Sequence, residues 1–223
     1  LCPSFDAEVR GATIAALSNL SGFDCIQLPQ ILSSSHLIKL SDAMKWPYLK
    51  HEDLPSPRSK LPPAFDEYLL GLSKNKRKEI RRKQRDLLEA EDAKFRVTDA
   101  PEDDVLDILK QQNRARNERV GIAGGYLSDD FSQFQSQILP LLRNRGAVRV
   151  ATIEKKGKVL ATLLLWVIKD TWYAFVGGFD HEFEKLGPGS LLDALSIRSA
   201  IEQGARYFDF GPGTQAYKLS FKP

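Results

Sequence analysis

"LGPGSLLDALSIRSAIEQGARYFDF", Leu186 to Phe210, carries the decision about fold. Its middle reads as a helix, "SLLDALSIRSAIEQ", with Ser190 as N-cap and Asp193, three residues on, as a capping-box-like partner. Gly204 suits the C-terminal cap, and "ARYFDF" then reads as a strand. The preceding "TWYAFVGGFD", Thr171 to Asp180, is also strand-like. A strand, helix and strand in this order make a right-handed crossover with parallel pairing. That is the signature of an α/β chain.

Working outward, "AVRVATIEK" and "KVLATLLLWVIKD" precede Thr171, separated by turns at Lys156-Gly157 and at Asp170. Connections this short predict an antiparallel meander. Further upstream stands a strand "KFRVTDA". Pro101, Glu102, Asp103 and Asp104 then open a helix "VLDILKQQNRARN", with acids where the helix dipole favours them. Gly121 to Gly125 breaks it, and "SDDFSQFQSQILPLLRN" gives a second helix, bent or stopped near Pro140. "AFDEYLLGL" and a basic stretch form two helical pieces around Gly71. Between Pro47 and Pro63 five prolines predict an extended crossing segment and a domain boundary. Before it lie a helix "EVRGATIAALSNL", a turn at Ser21-Gly22 and a strand "FDCIQLPQI", which read as a piece of another α/β unit.

Ligands of an open α/β sheet bind beyond the carboxyl ends of its parallel strands. Two motifs converge there. "GPGS", Gly187 to Ser190, precedes a helix whose free N–H groups attract an anion such as pyrophosphate; an ordinary tight loop is the plainer reading. "FDFGPGTQAYK" puts Asp209 at a strand end, then a second Gly-Pro-Gly turn, then Tyr217 and Lys218. A carboxylate there can take a proton and a tyrosine can return one to a leaving group. The alternatives are a loop-capping aspartate and a packed surface aromatic.

The 223 residues carry 32 basic and 29 acidic side chains, yet eight bases fall between Lys74 and Arg85 against the single acid Glu79. Elsewhere acids outnumber bases by 28 to 24, so the positive charge is local, a weak footprint for a nucleic-acid polymer. On a helix Lys74, Lys78, Arg81, Arg82 and Arg85 share one face, with Ile80 and Leu87 nearly opposite. That stripe is a solvated face, a site for a phosphate-bearing small ligand, or a nucleic-acid contact. A 42% hydrophobic content supports a globular core, and no apolar run approaches the roughly 20 residues of a membrane span. The first residues lack a secretory pattern, so a cytoplasmic protein is expected. Cys2 and Cys25 form no framework, and "HEFEK" at His181 lacks a second histidine, so no metal site is expected.

Taken together, "LSKNKRKEIRRKQRDL", "YAFVGGFD" and "LGPGSLLDALSIRSAIEQGARYFDFGPGTQAYK" resemble the GNAT-fold acetyltransferases associated with cellulose and exopolysaccharide biosynthesis. These are similar in layout to the Fem-type aminoacyltransferases, with two tandem GNAT-like halves. The resemblance covers roughly Trp46 to Lys218. It implies a GNAT fold, a mixed central sheet flanked by helices, as the second half of such a tandem. Residues 60–223 would be the acyltransferase domain, truncated at its C-terminal strands with a sheet edge left incomplete. Residues 1–59 would be the tail of the preceding half and a linker.

The resemblance also implies roles. Gly187, Pro188, Gly189 and Ser190 would cradle the pyrophosphate of acetyl-CoA, and the backbone of Val176 and Gly177 would bind its pantetheine arm. Tyr217 would be the general acid and Asp209 a base or polarising group. Glu184 stands where the family loop begins with Gln or Arg, so cations must come from elsewhere: Lys78, Arg81, Arg82, Arg85 and Lys218 are the candidates, with Lys185 nearby. The acceptor would be a small-molecule or sugar-linked amine, less readily a hydroxyl, in association with a polysaccharide synthesis complex. The alternatives are transfer from aminoacyl-tRNA and a catalytically degenerate scaffold.

Overall fold

The meander marked by the turns at Lys156-Gly157 and Asp170 is the centre of the computed structural model, which describes residues 6–22, 24–26, 47, 49, 54–99, 103–121 and 129–223. The chain divides into two units, Leu1–Leu54 and Pro55–Pro223. In the first, the expected helix is α1, Asp6–Ser18. The strand expected over "FDCIQLPQI" lies largely outside the described residues.

In the second unit six strands form one sheet: β1 Arg58–Lys60, β2 Lys94–Thr98, β3 Val148–Lys155, β4 Lys158–Ile168, β5 Thr171–Phe179 and β6 Tyr207–Asp209. Their spatial order is β1-β6-β5-β4-β3-β2, antiparallel except for the β5–β6 pair. Lys156 and Gly157 both take positive φ, 49° and 79°, the backbone that turns a two-residue hairpin with the twist of its strands. Side chains alternate faces along each strand. Val148, Val150 and Leu164 therefore join one apolar cluster, while Ala151, Ile153, Leu163 and Leu165 join the larger one on the other face.

Around the sheet lie α2 Phe65–Gly71, α3 Lys74–Gln84, α4 Asp103–Val120, α5 Asp129–Asn144, α6 Pro188–Glu202 and the short α7 Ala216–Leu219. Leu109 of α4, with Leu139 and Leu142 of α5, packs into the smaller cluster; α6 fills the larger with Leu191, Leu192, Leu195 and Ile197. The mixed sheet is thus covered on both faces. The basic stretch is α3 continued by a wider π-helical turn, Arg85–Ala90, and its seam is buried at Ile80 and Leu87. Helix α5 runs on past Pro140 to Asn144, so the proline does not stop it.

Two expectations need correction. The sheet edge beside β6 is not left incomplete, because β1 pairs with it antiparallel, Arg58 facing Asp209 and Lys60 facing Tyr207. Proline-free Arg58-Ser59-Lys60 retains the backbone donors that a ladder needs, although it sits in a proline-rich segment. Ser190 is also not the N-cap of α6. The helix starts at Pro188, with Gly187 as N-cap at φ 63° and ψ 48°, because proline is pre-set for a first helical turn.

Gly177-Gly178 of β5 lets α4 cross the sheet closely. A Cβ on Gly178 would stand 2.6 Å from Cβ of Gln112 and 3.0 Å from the backbone N of Asn113. Asn113 Nδ2 donates to the Gly177 carbonyl at 3.2 Å, and Gln112 Nε2 to the Val159 carbonyl at 3.0 Å. Gly178→Ala is therefore expected to destabilise the protein by about 1–3 kcal/mol, the usual range for overpacking. Chemical denaturation reads this as a lower midpoint at unchanged slope.

Candidate active site

Strands β5 and β6 pair over only three residues, Thr171 to Tyr173 against Tyr207 to Asp209. Leu164 faces Val176 while Leu165 faces Ala174, so Phe175 is an extra residue that bulges β5 at this point. Beyond Tyr173 the strand pairs with β4 but no longer with β6. Val176 and Gly177 lie on that stretch, although the Gly177 carbonyl already accepts from Asn113. The start of α6 follows a 3₁₀ turn, His181–Leu186.

At this helix start Pro188 has no N–H, so Gly189 and Ser190 carry the first free backbone donors. The side chains around it come from the buried side of α3. Lys76 Nζ donates to Ser190 Oγ at 3.1 Å, and Ser190 Oγ donates to Glu79 Oε1 at 3.3 Å. Glu79 also pairs with Lys83 Nζ at 2.5 Å and with Lys76 Nζ at 3.4 Å. The Lys83 amine lies against the turn: a Cβ on Gly187 would come within 2.6 Å of Nζ.

Lys76 is only 5% exposed, and its Nζ lies 4.2 Å from the Phe221 ring centre. Burial and the neighbouring Lys83 lower its pKa, while Glu79 and Asp193 restore part of the charged form. For Glu79, burial pulls upward, but the hydrogen bond from Lys83 and the charges of Lys76 and Lys83 prevail and hold it below the usual carboxylate range.

The expected basic residues go elsewhere. Lys78, Arg81, Arg82 and Arg85 are exposed. Arg81 and Arg85 line an open groove of about 590 Å³ with Arg198 and Glu202, near the far end of α6. Lys185 is exposed as well. Glu184 pairs with Arg119 of α4 at 3.0 Å, which offsets the charge that would repel a phosphate.

The Gly-Pro-Gly turn after β6 is tied down on several sides. Asp209 is buried, and its Oδ1 accepts from Ser56 Oγ at 2.5 Å and from the Gly211 N–H at 2.8 Å. Lys218, also buried, donates to the carbonyls of Gly211 at 3.1 Å and Pro212 at 2.7 Å. Burial lowers its pKa, while Asp193 and Asp209 oppose that shift. Gly211 presses on β5, since a Cβ there would stand 2.9 Å from the Ala174 carbonyl. Tyr217 is 43% exposed, and its hydroxyl has no hydrogen-bond partner among the described residues. Desolvation and the nearby Asp193 push the phenol up to about 12.

Asp193 is the residue that the sequence reading had assigned only a capping duty. It makes no hydrogen bond or ion pair among the described residues, and burial pushes its carboxyl up to about 6 against the pull of Lys76, Lys218, Lys83 and Arg116. Lys76 and Lys83 were missed too, yet a signal existed. Positions 76, 80, 83 and 87 form one helical stripe, so two lysines share the seam of Ile80 and Leu87. A lysine on a buried stripe needs a partner, and Glu79 is it.

The arrangement brings together the free N–H groups of a helix start, two lysine ammonium groups held by Glu79, and a stretch of β5 that β6 leaves unpaired. Among the described residues no group of three or more His, Cys, Asp or Glu is placed to hold a metal ion, and no helix is long and apolar enough to cross a membrane. No curated protein matches the chain. Among solved structures, FemX superposes with a TM-score of 0.60 at 13% identity, over 82% of this chain and 61% of that one. The C-terminal domain of a putative lysylphosphatidylglycerol synthetase from Agrobacterium fabrum gives 0.52 at 16% identity, over 75% and 56%. The chain thus spans about three fifths of each. Residues 74–219, well over half of the chain, match the model of the acetyltransferase (GNAT) domain, and the protein belongs to that family.

Proposed function

We propose that the protein transfers an acetyl or longer acyl group from acyl-CoA to an amine. The observation that carries this reading is the junction of Gly187–Ser190 with Lys76 and Lys83, beside the stretch of β5 that β6 leaves unpaired. Gly189 and Ser190 N–H groups and the two ammonium groups would hold the pyrophosphate, and the backbone of Val176 and Gly177 would hold the pantetheine amides once Asn113 releases the Gly177 carbonyl. The thioester supplies the activated carbonyl.

This chain's own residues manage the protons. A free amine of pKa near 10.4 is mostly protonated at neutral pH, and reaching its reactive form costs on the order of 4 kcal/mol. Asp209 is already held by two donors on one oxygen, so we assign proton acceptance to Asp193 and give Asp209 and Lys218 the task of fixing the turn that carries Tyr217. Tyr217, with an unpartnered hydroxyl, would protonate the departing thiolate. Sugar-linked or other small-molecule amines, in polysaccharide or cell-envelope synthesis in the cytoplasm, remain the proposed acceptors on the strength of the sequence resemblance. The tandem arrangement, with residues 1–59 as the tail of a preceding half and a linker, is proposed on the same ground, except that Pro55 to Ser59 pack with the second unit.

The exposed basic face of α3 and the π-helical turn that continues it, Lys78, Arg81, Arg82 and Arg85, favours a second reading, transfer from aminoacyl-tRNA. Calorimetry separates the two. Acetyl-CoA is expected to bind the protein with micromolar affinity and to lose most of it in Lys83→Met. A folded protein that ignores acetyl-CoA but binds aminoacyl-tRNA with steep salt dependence would replace the first reading by the second.

A further inference from the structure

Three donors at the start of α6 converge on one acceptor that belongs to the protein itself. Lys83 Nζ, Lys76 Nζ and Ser190 Oγ all reach the Glu79 carboxylate, at 2.5, 3.4 and 3.3 Å. They are the side chains that a phosphate at this helix start would need. A carboxylate bears one charge and two oxygens, whereas a pyrophosphate diester bears two charges and more acceptor oxygens, and it can also take the helix N–H groups. Lys76, 5% exposed, cannot do without a counterion when no ligand is bound.

We propose that Glu79 is a resident anion that occupies the phosphate-binding donors Lys76, Lys83 and Ser190, and yields them when the pyrophosphate of the acyl donor arrives. The inference rests on the acyl-CoA reading for the identity of the ligand, but the competition concerns any pyrophosphate. It explains why the loop tolerates Glu184 where a cation or amide is expected: the positive charge is stored on α3. It also gives Glu79 a double effect. The residue holds two lysines paired and ordered beside the turn, and it lowers the affinity of every anion that must displace it.

The test compares wild type with Glu79→Gln, which keeps the shape and removes the charge, using inorganic pyrophosphate and coenzyme A in separate titrations. The variant is expected to bind pyrophosphate at least tenfold more tightly. Its melting temperature should be lower without ligand and recover on adding pyrophosphate. Unchanged or weaker pyrophosphate binding overturns the proposal, whatever coenzyme A does. If pyrophosphate binding tightens while neither protein binds coenzyme A, the resident-anion inference stands and the acyl-CoA reading falls. Should Glu79→Gln not fold, Glu79→Asp withdraws the carboxylate by one methylene, and tighter binding is again expected; equal or weaker binding counts against the proposal.

Discussion

Tyr217→Phe is expected to lower kcat by about 10²–10³ while leaving the KM for acyl-CoA within about threefold, the pattern of a group that acts only in the transition state. The phenol is held by α7 at the end of the Gly-Pro-Gly turn, and nothing among the described residues competes for its proton. Desolvation and Asp193 push its pKa up to about 12, so it stays protonated through the working range. No alkaline limb from Tyr217 should therefore appear below about pH 10. A stability control is informative, because 43% exposure leaves little packing to lose. If Tyr217→Phe keeps full kcat under single-turnover conditions, the leaving thiolate takes its proton elsewhere and the assignment fails.

Asp193→Asn is expected to move stability and activity in opposite directions. In the folded protein burial pushes the Asp193 carboxyl up to about 6, above its ordinary value of 3.8. The folded state thus binds the proton more tightly than the unfolded state. The stabilisation from this group is fully present below about pH 4, is lost as pH rises through 6, and does not return above it. The ionised form at pH 8 costs about 2–3 kcal/mol on that shift. Asp193→Asn should recover much of this and raise the melting temperature at pH 8 with little gain at pH 4. Activity should fall about a hundredfold or more, and the wild-type acid limb near pH 6 in kcat/KM should disappear from what remains. An acid limb that survives the substitution would assign proton acceptance to another group.

The sheet was legible because its signals are local. Three apolar-rich runs between Val148 and Phe179 are separated only by short turns at Lys156-Gly157 and at Asp170, so the meander follows from the residues alone. The β5–α6–β6 crossover was equally plain. Strand β1 was not, since three residues carry no period and its partner lies about 150 positions away. The N-cap of α6 was misread because a serine after Gly-Pro-Gly satisfies the same rule as an N-cap, and only the backbone shows that proline took the first turn. At the site, Gly187–Ser190 and Tyr217 came from motifs. Lys76, Glu79 and Lys83 were hidden in plain view, because a run of eight bases reads as one patch until a tertiary contact sorts the buried from the solvated. Asp193 has no local signal at all, since its carboxyl is shifted by burial and groups from three other elements.

The segment Pro55 to Lys60 has a consequence for where this domain can be cut. Besides the β1 ladder, the Pro57 carbonyl accepts from the Phe210 N–H at 2.9 Å, the Pro55 carbonyl from the Gly213 N–H at 2.9 Å, and Ser56 holds Asp209. The family match begins only at Lys74. A fragment trimmed to that boundary would bare β6 as an adhesive ribbon able to recruit a strand from a neighbouring molecule, and would untie the turn that precedes Tyr217. Such a fragment would associate and lose its catalysis together, so inactivity in it would say nothing about the chemistry of the intact domain.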